Sequence, residues 1–143
     1  TVQIFDSWAG LLPVNKIKKF CFEPTKRIVA RLKQLGKPII CFPRGINKKY
    51  EEFCKIVKPD CISIDYDVEP SWILEKASGI PIQGGLDPKI LLGSTEDLKK
   101  NIMKYISIFS NYPYIFNLGH GVLPETKPET IDFIVKFIRE KND

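Results

Sequence analysis

The 143 residues carry 22 Lys and Arg against 17 Asp and Glu, a formal net charge of +5, with 43% apolar and 27% charged residues. That balance excludes a disordered chain, which holds fewer apolar residues or a far larger net charge. No apolar run approaches the roughly 20 residues of a bilayer span, and Pro13 breaks the uncharged stretch Leu11 to Asn15, so no secretory signal core is expected.

Short apolar runs alternate with segments of helical spacing. Val2–Phe5 reads as a strand. Ile28, Val29, Leu32 and Leu35 then repeat at helical spacing, with Gly36 as a stop. Pro38–Phe42 is a second strand. Asn47 is placed to cap a helix with Tyr50, Phe53, Cys54 and Val57 inward. Cys61–Ile64 is a third strand, and Pro70 suits the first turn of a helix bearing Ile73, Leu74 and Ala77. Ile80–Gln83 is a fourth strand. Ser94 with Asp97 approximates a capping box ahead of Leu98, Ile102, Ile106 and Phe109. Tyr114–Leu118 is a fifth strand, and Pro128 opens a last helix with Ile131, Ile134, Val135 and Ile138 inward.

The strands are rich in Ile, Val, Phe and Tyr and do not alternate with polar residues. Strands buried on both faces read this way, which implies a parallel sheet with helices outside. Five βα units fit a doubly wound open sheet or part of a (β/α)8 barrel, which in full needs eight units and about 250 residues. In either case the site lies at the carboxyl edge of the strands. Polar and glycine-rich residues cluster there: Asp6-Ser7-Trp8-Ala9-Gly10, Pro43-Arg44-Gly45, Asp65-Tyr66-Asp67, Gly84-Gly85 and Gly119-His120-Gly121.

His120 is the only histidine, and its imidazole can donate to a carboxylate or shuttle a proton near neutral pH. Ser7 can hydrogen-bond a ligand or cap a turn, but no G-x-S-x-G elbow makes it a nucleophile. Arg44 offers a planar donor fork to an anion or to a surface ion pair. Asp65 and Asp67 are paired carboxylates two apart, and a joint metal site there is not expected. Gly84-Gly85 lacks the phosphate-binding motifs and reads as close packing. The lysines are scattered without interleaved aromatics, so no nucleic-acid surface is expected. Cys21, Cys41, Cys54 and Cys61 include no C-x2-C pair and read as small buried hydrophobes in a reducing compartment.

Phe5-Asp6-Ser7-Trp8-Ala9-Gly10, Gln83-Gly84-Gly85-Leu86-Asp87-Pro88 and Asn117-Leu118-Gly119-His120-Gly121-Val122-Leu123-Pro124, followed by Thr126-Lys127-Pro128-Glu129, together resemble the uroporphyrinogen decarboxylase family. The resemblance runs from Thr1 to about Lys141 and covers the C-terminal part of the family pattern. It implies an α/β fold that is part of a (β/α)8 TIM barrel, here about five βα units with parallel strands. It implies a cytoplasmic, usually dimeric lyase of haem biosynthesis. Without a cofactor or metal, the enzyme removes CO2 from the four acetate side chains of uroporphyrinogen to give coproporphyrinogen. By position, Ser7 resembles the serine that binds a substrate carboxylate. His120 resembles the histidine that contacts substrate carboxylates at the mouth of the cleft.

The family's arginine-rich motif, its catalytic aspartate and its substrate-side tyrosine have no counterpart here, and Asp65 and Asp67 do not sit in the aspartate's context. Residues 1–143 are therefore expected to be the C-terminal portion of such an enzyme, inactive alone. The abrupt Val2-Gln3-Ile4-Phe5 start would then be a cut just before a barrel strand, and exposed strand edges would drive self-association. Two alternatives stand beside this. One is a non-catalytic porphyrinogen-binding or scaffold domain. The other is a related zinc-dependent corrinoid or thiol methyltransferase, disfavoured because Cys41-Phe42-Pro43-Arg44 contains no His-x-Cys pair.

Overall fold

The computed structural model describes residues 1–77 and 79–142. The strands are β1 (Val2–Asp6), β2 (Ile39–Pro43), β3 (Cys61–Ile64), β4 (Ile82–Gly84) and β5 (Tyr114–Ile115). The helices are α1 (Val14–Ile17), α2 (Glu23–Gln34), α3 (Tyr50–Val57), α4 (Pro70–Lys76), α5 (Thr95–Ile108) and α6 (Pro128–Asn142). A π-helical stretch, Lys18–Phe22, joins α1 to α2.

All five strands pair in parallel, in the order β1-β2-β3-β4-β5. A doubly wound sheet reverses its strand order at a switch point, whereas a barrel adds each strand beside the last. The unbroken order therefore selects the barrel reading: the sheet is an arc of a (β/α)8 barrel.

The register sorts side chains into two layers. Ile4 lies opposite Cys41, Cys41 opposite Ile62, and Ile62 opposite Ile82. Cys41, Ile62 and Ile82 belong to the main core with Phe22, Val29, Phe53, Ile73 and Ile102 from the helices, and the partly buried Ile4 packs against it. On the other face, Phe5 lies opposite Phe42 and Ser63 opposite Gln83. β2 and β3 are buried along their whole length, as their unbroken apolar runs imply, while Phe5 on β1 is 66% exposed and Ile115 on β5 is 46% exposed. The two outer strands each have one edge without a strand partner among the described residues.

The helices follow local signals with instructive exceptions. Gly36 takes φ +63 just past α2, the left-handed stop that glycine adopts most readily. Pro70 and Pro128 are the first residues of α4 and α6. Ser94 Oγ accepts the Asp97 N–H at 3.1 Å. The reciprocal contact differs from a full capping box: the Ser94 hydroxyl donates to Asp97 Oδ2 at 2.7 Å, because aspartate is one methylene shorter than glutamate.

Asn47 does not cap α3. It has φ +52 and opens a short 3-10 turn, Asn47–Lys49, whose start has no side-chain cap. Ile28, Leu35 and Val135, expected inward, are 49%, 57% and 42% exposed. The i and i+1 pairs at 28–29 and 134–135 straddle the helix face, and only Val29 and Ile134 point into the core. The β5 ladder stops at Ile115, after which Leu118 makes a single bridge to Leu86. Residues 14–22, without a clean apolar repeat, form the α1 and π-helical turns.

All four cysteines are free and buried. Burial pushes the Cys41 and Cys54 thiols up to about 12 and the Cys61 thiol up to about 11. Cys21 rises still further, through burial first and then through Asp6 beside it.

The Ser94 cap is exposed and isolated from the core, so Ser94→Ala should cost about 1 kcal/mol in urea unfolding with an unchanged m-value. A loss below about 0.3 kcal/mol would show that the capping contacts carry no net stability.

Candidate functional site

Period-two geometry brings alternate residues of β1 and its loop, Gln3, Phe5 and Ser7, to one face of the sheet. With Phe42, Ser63 and Gln83 from the next three strands they line a cavity of about 420 Å³. Asn117, Leu118, His120 and Gly121, after β5, complete it. Ser7 and His120 come from opposite ends of the chain, and the arc brings them to one cavity. The floor is polar but satisfied: Gln83 Nε2 donates to Ser63 Oγ at 3.2 Å, and both residues are buried. The Phe42 ring lies 6.5 Å, centroid to centroid, from the His120 imidazole.

Ser7 also lines a second hollow of about 240 Å³, with Trp8, Arg44, Gly45 and Asp67 among its walls. Arg44 Nη2 donates to the Tyr66 hydroxyl at 3.3 Å, and its guanidinium lies 5.9 Å from the Tyr66 ring centroid. Among the described residues Arg44 forms no salt bridge, so most of its donor fork is unspent. Ser7 does not cap the 3-10 turn after β1, which has no side-chain cap. Neither the Ser7 hydroxyl nor the His120 imidazole has a hydrogen-bond partner among the described residues. Hydroxyl, imidazole and guanidinium donors around a concave, partly apolar wall can hold the carboxylates of a large ligand.

Burial lowers the His120 pKa below its ordinary 6.5, the nearby Arg44 charge lowers it further, and Asp65 opposes both. The imidazole is therefore neutral at pH 7 in the free protein. An arriving carboxylate offsets the Arg44 charge and favours the imidazolium.

The aspartates are not a joint site. Asp65 is buried and Asp67 exposed, and the Asp67 N–H donates to Asp65 Oδ1 at 3.1 Å. Among the described residues no group of three His, Cys, Asp or Glu side chains is placed to hold a metal ion. No helix among them is long and apolar enough to cross a membrane.

Sequence reasoning did not find the packing that fixes these loops. The Gly10 N–H donates to the Arg44 carbonyl at 2.9 Å, and a Cβ on Gly10 would lie 2.6 Å from the Gly45 oxygen. A Cβ on Gly119 would lie 2.8 Å from the Asp65 carbonyl carbon and would clash with the Tyr66 nitrogen. The motif glycines Gly10 and Gly119 thus mark loop-to-loop contact; their flanking of Ser7 and His120 was the only available signal.

As the sole histidine, His120 is resolved by NMR without assignment. Its titration midpoint should fall below 6.5 in the free chain and rise when a polycarboxylate is added. The unfolded chain takes up this proton first, so stability should fall as pH drops through 6.5, and His120→Asn should flatten that slope. A midpoint at or above 6.5 in the free chain would contradict the stated environment.

The chain is similar to known proteins along nearly its whole length. The family model described as uroporphyrinogen decarboxylase (URO-D) matches residues 1–141. A uroporphyrinogen decarboxylase of Rickettsia bellii is 48% identical over 145 residues, covering 97% of this chain and 42% of that protein. Those of Cereibacter sphaeroides and Rickettsia africae are 42% and 38% identical, covering 98% and 99% of this chain and again 42% of each relative. The chain thus spans well under half the length of these relatives, and its five-stranded parallel arc belongs to the uroporphyrinogen decarboxylase family.

Proposed function

We propose that this chain is the C-terminal portion of a cytoplasmic uroporphyrinogen decarboxylase and supplies one wall of its substrate cleft. The whole enzyme is a lyase that removes CO2 from the acetate groups of uroporphyrinogen to give coproporphyrinogen. The observation that carries the reading is the meeting of Ser7 and His120, both with unspent donors, at one cavity on the carboxyl side of the arc. In this reading the Ser7 hydroxyl and the His120 imidazole each hold a substrate carboxylate. Arg44 raises the local positive potential that draws a polyanionic tetrapyrrole in.

Decarboxylation needs a protonated pyrrole to receive the electrons of the breaking C–C bond, and hence a group that stabilises that cation. Asp65 is committed to protein donors and Asp67 is exposed at the rim. As the family resemblance implies, we assign the stabilising group to a part of the enzyme outside residues 1–143. The edges of β1 and β5 that have no strand partner among the described residues support the same reading, since further strands would close the barrel there. Exposed apolar residues such as Trp8 (72%) and Leu11 (77%) support self-association, the homodimer being the simplest form.

The test compares the whole gene product with residues 1–143 alone. The former should convert uroporphyrinogen to coproporphyrinogen, and the latter should not. In the whole product, Ser7→Ala and His120→Asn should each raise KM roughly tenfold. Turnover by residues 1–143 alone would overturn the placement of the cation-stabilising group. Tetrapyrrole binding without turnover by the whole product would favour a non-catalytic binding protein.

A further inference from the structure

Asp65 is the one charged side chain that is buried among the described residues, at 1% exposure. A buried carboxylate is costly unless donors surround it. Three do: the Gly45 N–H at 2.6 Å and the Tyr50 hydroxyl at 2.9 Å, both on Oδ2, and the Asp67 N–H at 3.1 Å on Oδ1. The Asp65 N–H in turn donates to the Tyr50 oxygen at 3.3 Å. Burial, and then the charge of Asp65, push the Tyr50 pKa well up, so the phenol keeps its proton and remains a donor.

Gly45 and Asp67 lie on the loops after β2 and β3, and Tyr50 is the first residue of α3. Gly45 packs on Gly10, three residues after Ser7, and the Asp65–Tyr66 peptide packs on Gly119, the residue before His120. A continuous path of short contacts thus runs from the Ser7 loop through Gly45 and Asp65 to His120. The carboxylate itself is absent from both cavity walls that Ser7 shares.

We propose that Asp65 is a positioning residue that fixes the spacing of Ser7 and His120, acting through Gly45 on one side and Gly119 on the other. This role rests on the reading of Ser7 and His120 as carboxylate binders. Asp65 touches no substrate, and its part is to hold two donors at one separation, so that a rigid polycarboxylate meets both at once.

Asp65→Asn preserves size and removes an acceptor. With one carbonyl oxygen for three inward donors, at least one N–H or O–H must face the amide NH2. In the whole gene product this variant should raise KM for uroporphyrinogen roughly tenfold with kcat within about twofold. It should also lower the His120 midpoint, because the Asp65 charge holds that midpoint up. Tyr50→Phe removes one donor and keeps the charge, so it should raise KM less and leave the His120 midpoint in place. Combining the two should be no worse than Asp65→Asn alone. A less stable Asp65→Asn protein with wild-type KM would overturn the proposal and leave Asp65 as a fold support only. If Ser7→Ala and His120→Asn themselves leave KM unchanged, the carboxylate reading fails separately. The positioning role then rests on NMR of the substrate-free protein: displaced Gly45, Gly119 and His120 resonances in Asp65→Asn support it, and unmoved ones overturn it.

Discussion

Parallel pairing in sequence order is the constraint on which this molecule depends. Each strand must begin at the same edge, so every strand-to-helix loop leaves from the opposite one. Five loops are forced into proximity whatever their sequences, and residues separated by most of the chain, such as Ser7 and His120, become neighbours around one cavity. The register then decides which side chains face it. Phe5 and Phe42 give the wall an apolar surface, while Ser63 and Gln83 satisfy each other and leave the floor without an orphaned polar group.

Bringing loops together does not hold them in place, and the buried Asp65 carboxylate does much of that holding. Its charge needs donors, and the available ones are the backbone N–H groups of two loops and one phenol. Glycines allow those loops to approach more closely than any side chain would permit, at Gly10 against Gly45 and at Gly119 against Tyr66. A Cβ at either place would push the loop outward and change the separation of the donors. The conformational liberty of glycine matters less here than its missing volume.

Much of this architecture was legible in the residues. Unbroken apolar runs gave the strands of the parallel sheet, and β3 spans the same residues, Cys61–Ile64, that the run alone marks. The prolines at positions 70 and 128 and the serine at position 94 marked helix starts because their chemistry acts locally. Asn47 misled because its side chain suits a cap while its backbone takes a left-handed φ and opens a 3-10 turn ahead of α3. Ile28 and Leu35 misled because helical spacing identifies an apolar stripe without showing how wide a stripe the sheet can cover. At the site, the motifs named Ser7 and His120. The Asp65 network stayed hidden, because its partners are backbone groups and a phenol up to 20 residues away, and no local spacing encodes them.

The four thiols have a consequence of a different kind. Thiolate, not thiol, attacks oxidants and alkylating agents. Burial and raised pKa values leave Cys21, Cys41, Cys54 and Cys61 almost without thiolate while the fold is intact. They are spread over α2's approach, β2, α3 and β3, so each reports a different seam between sheet and helices. The order in which they become reactive under denaturing stress would trace the order in which the arc comes apart, without any label being added to the molecule.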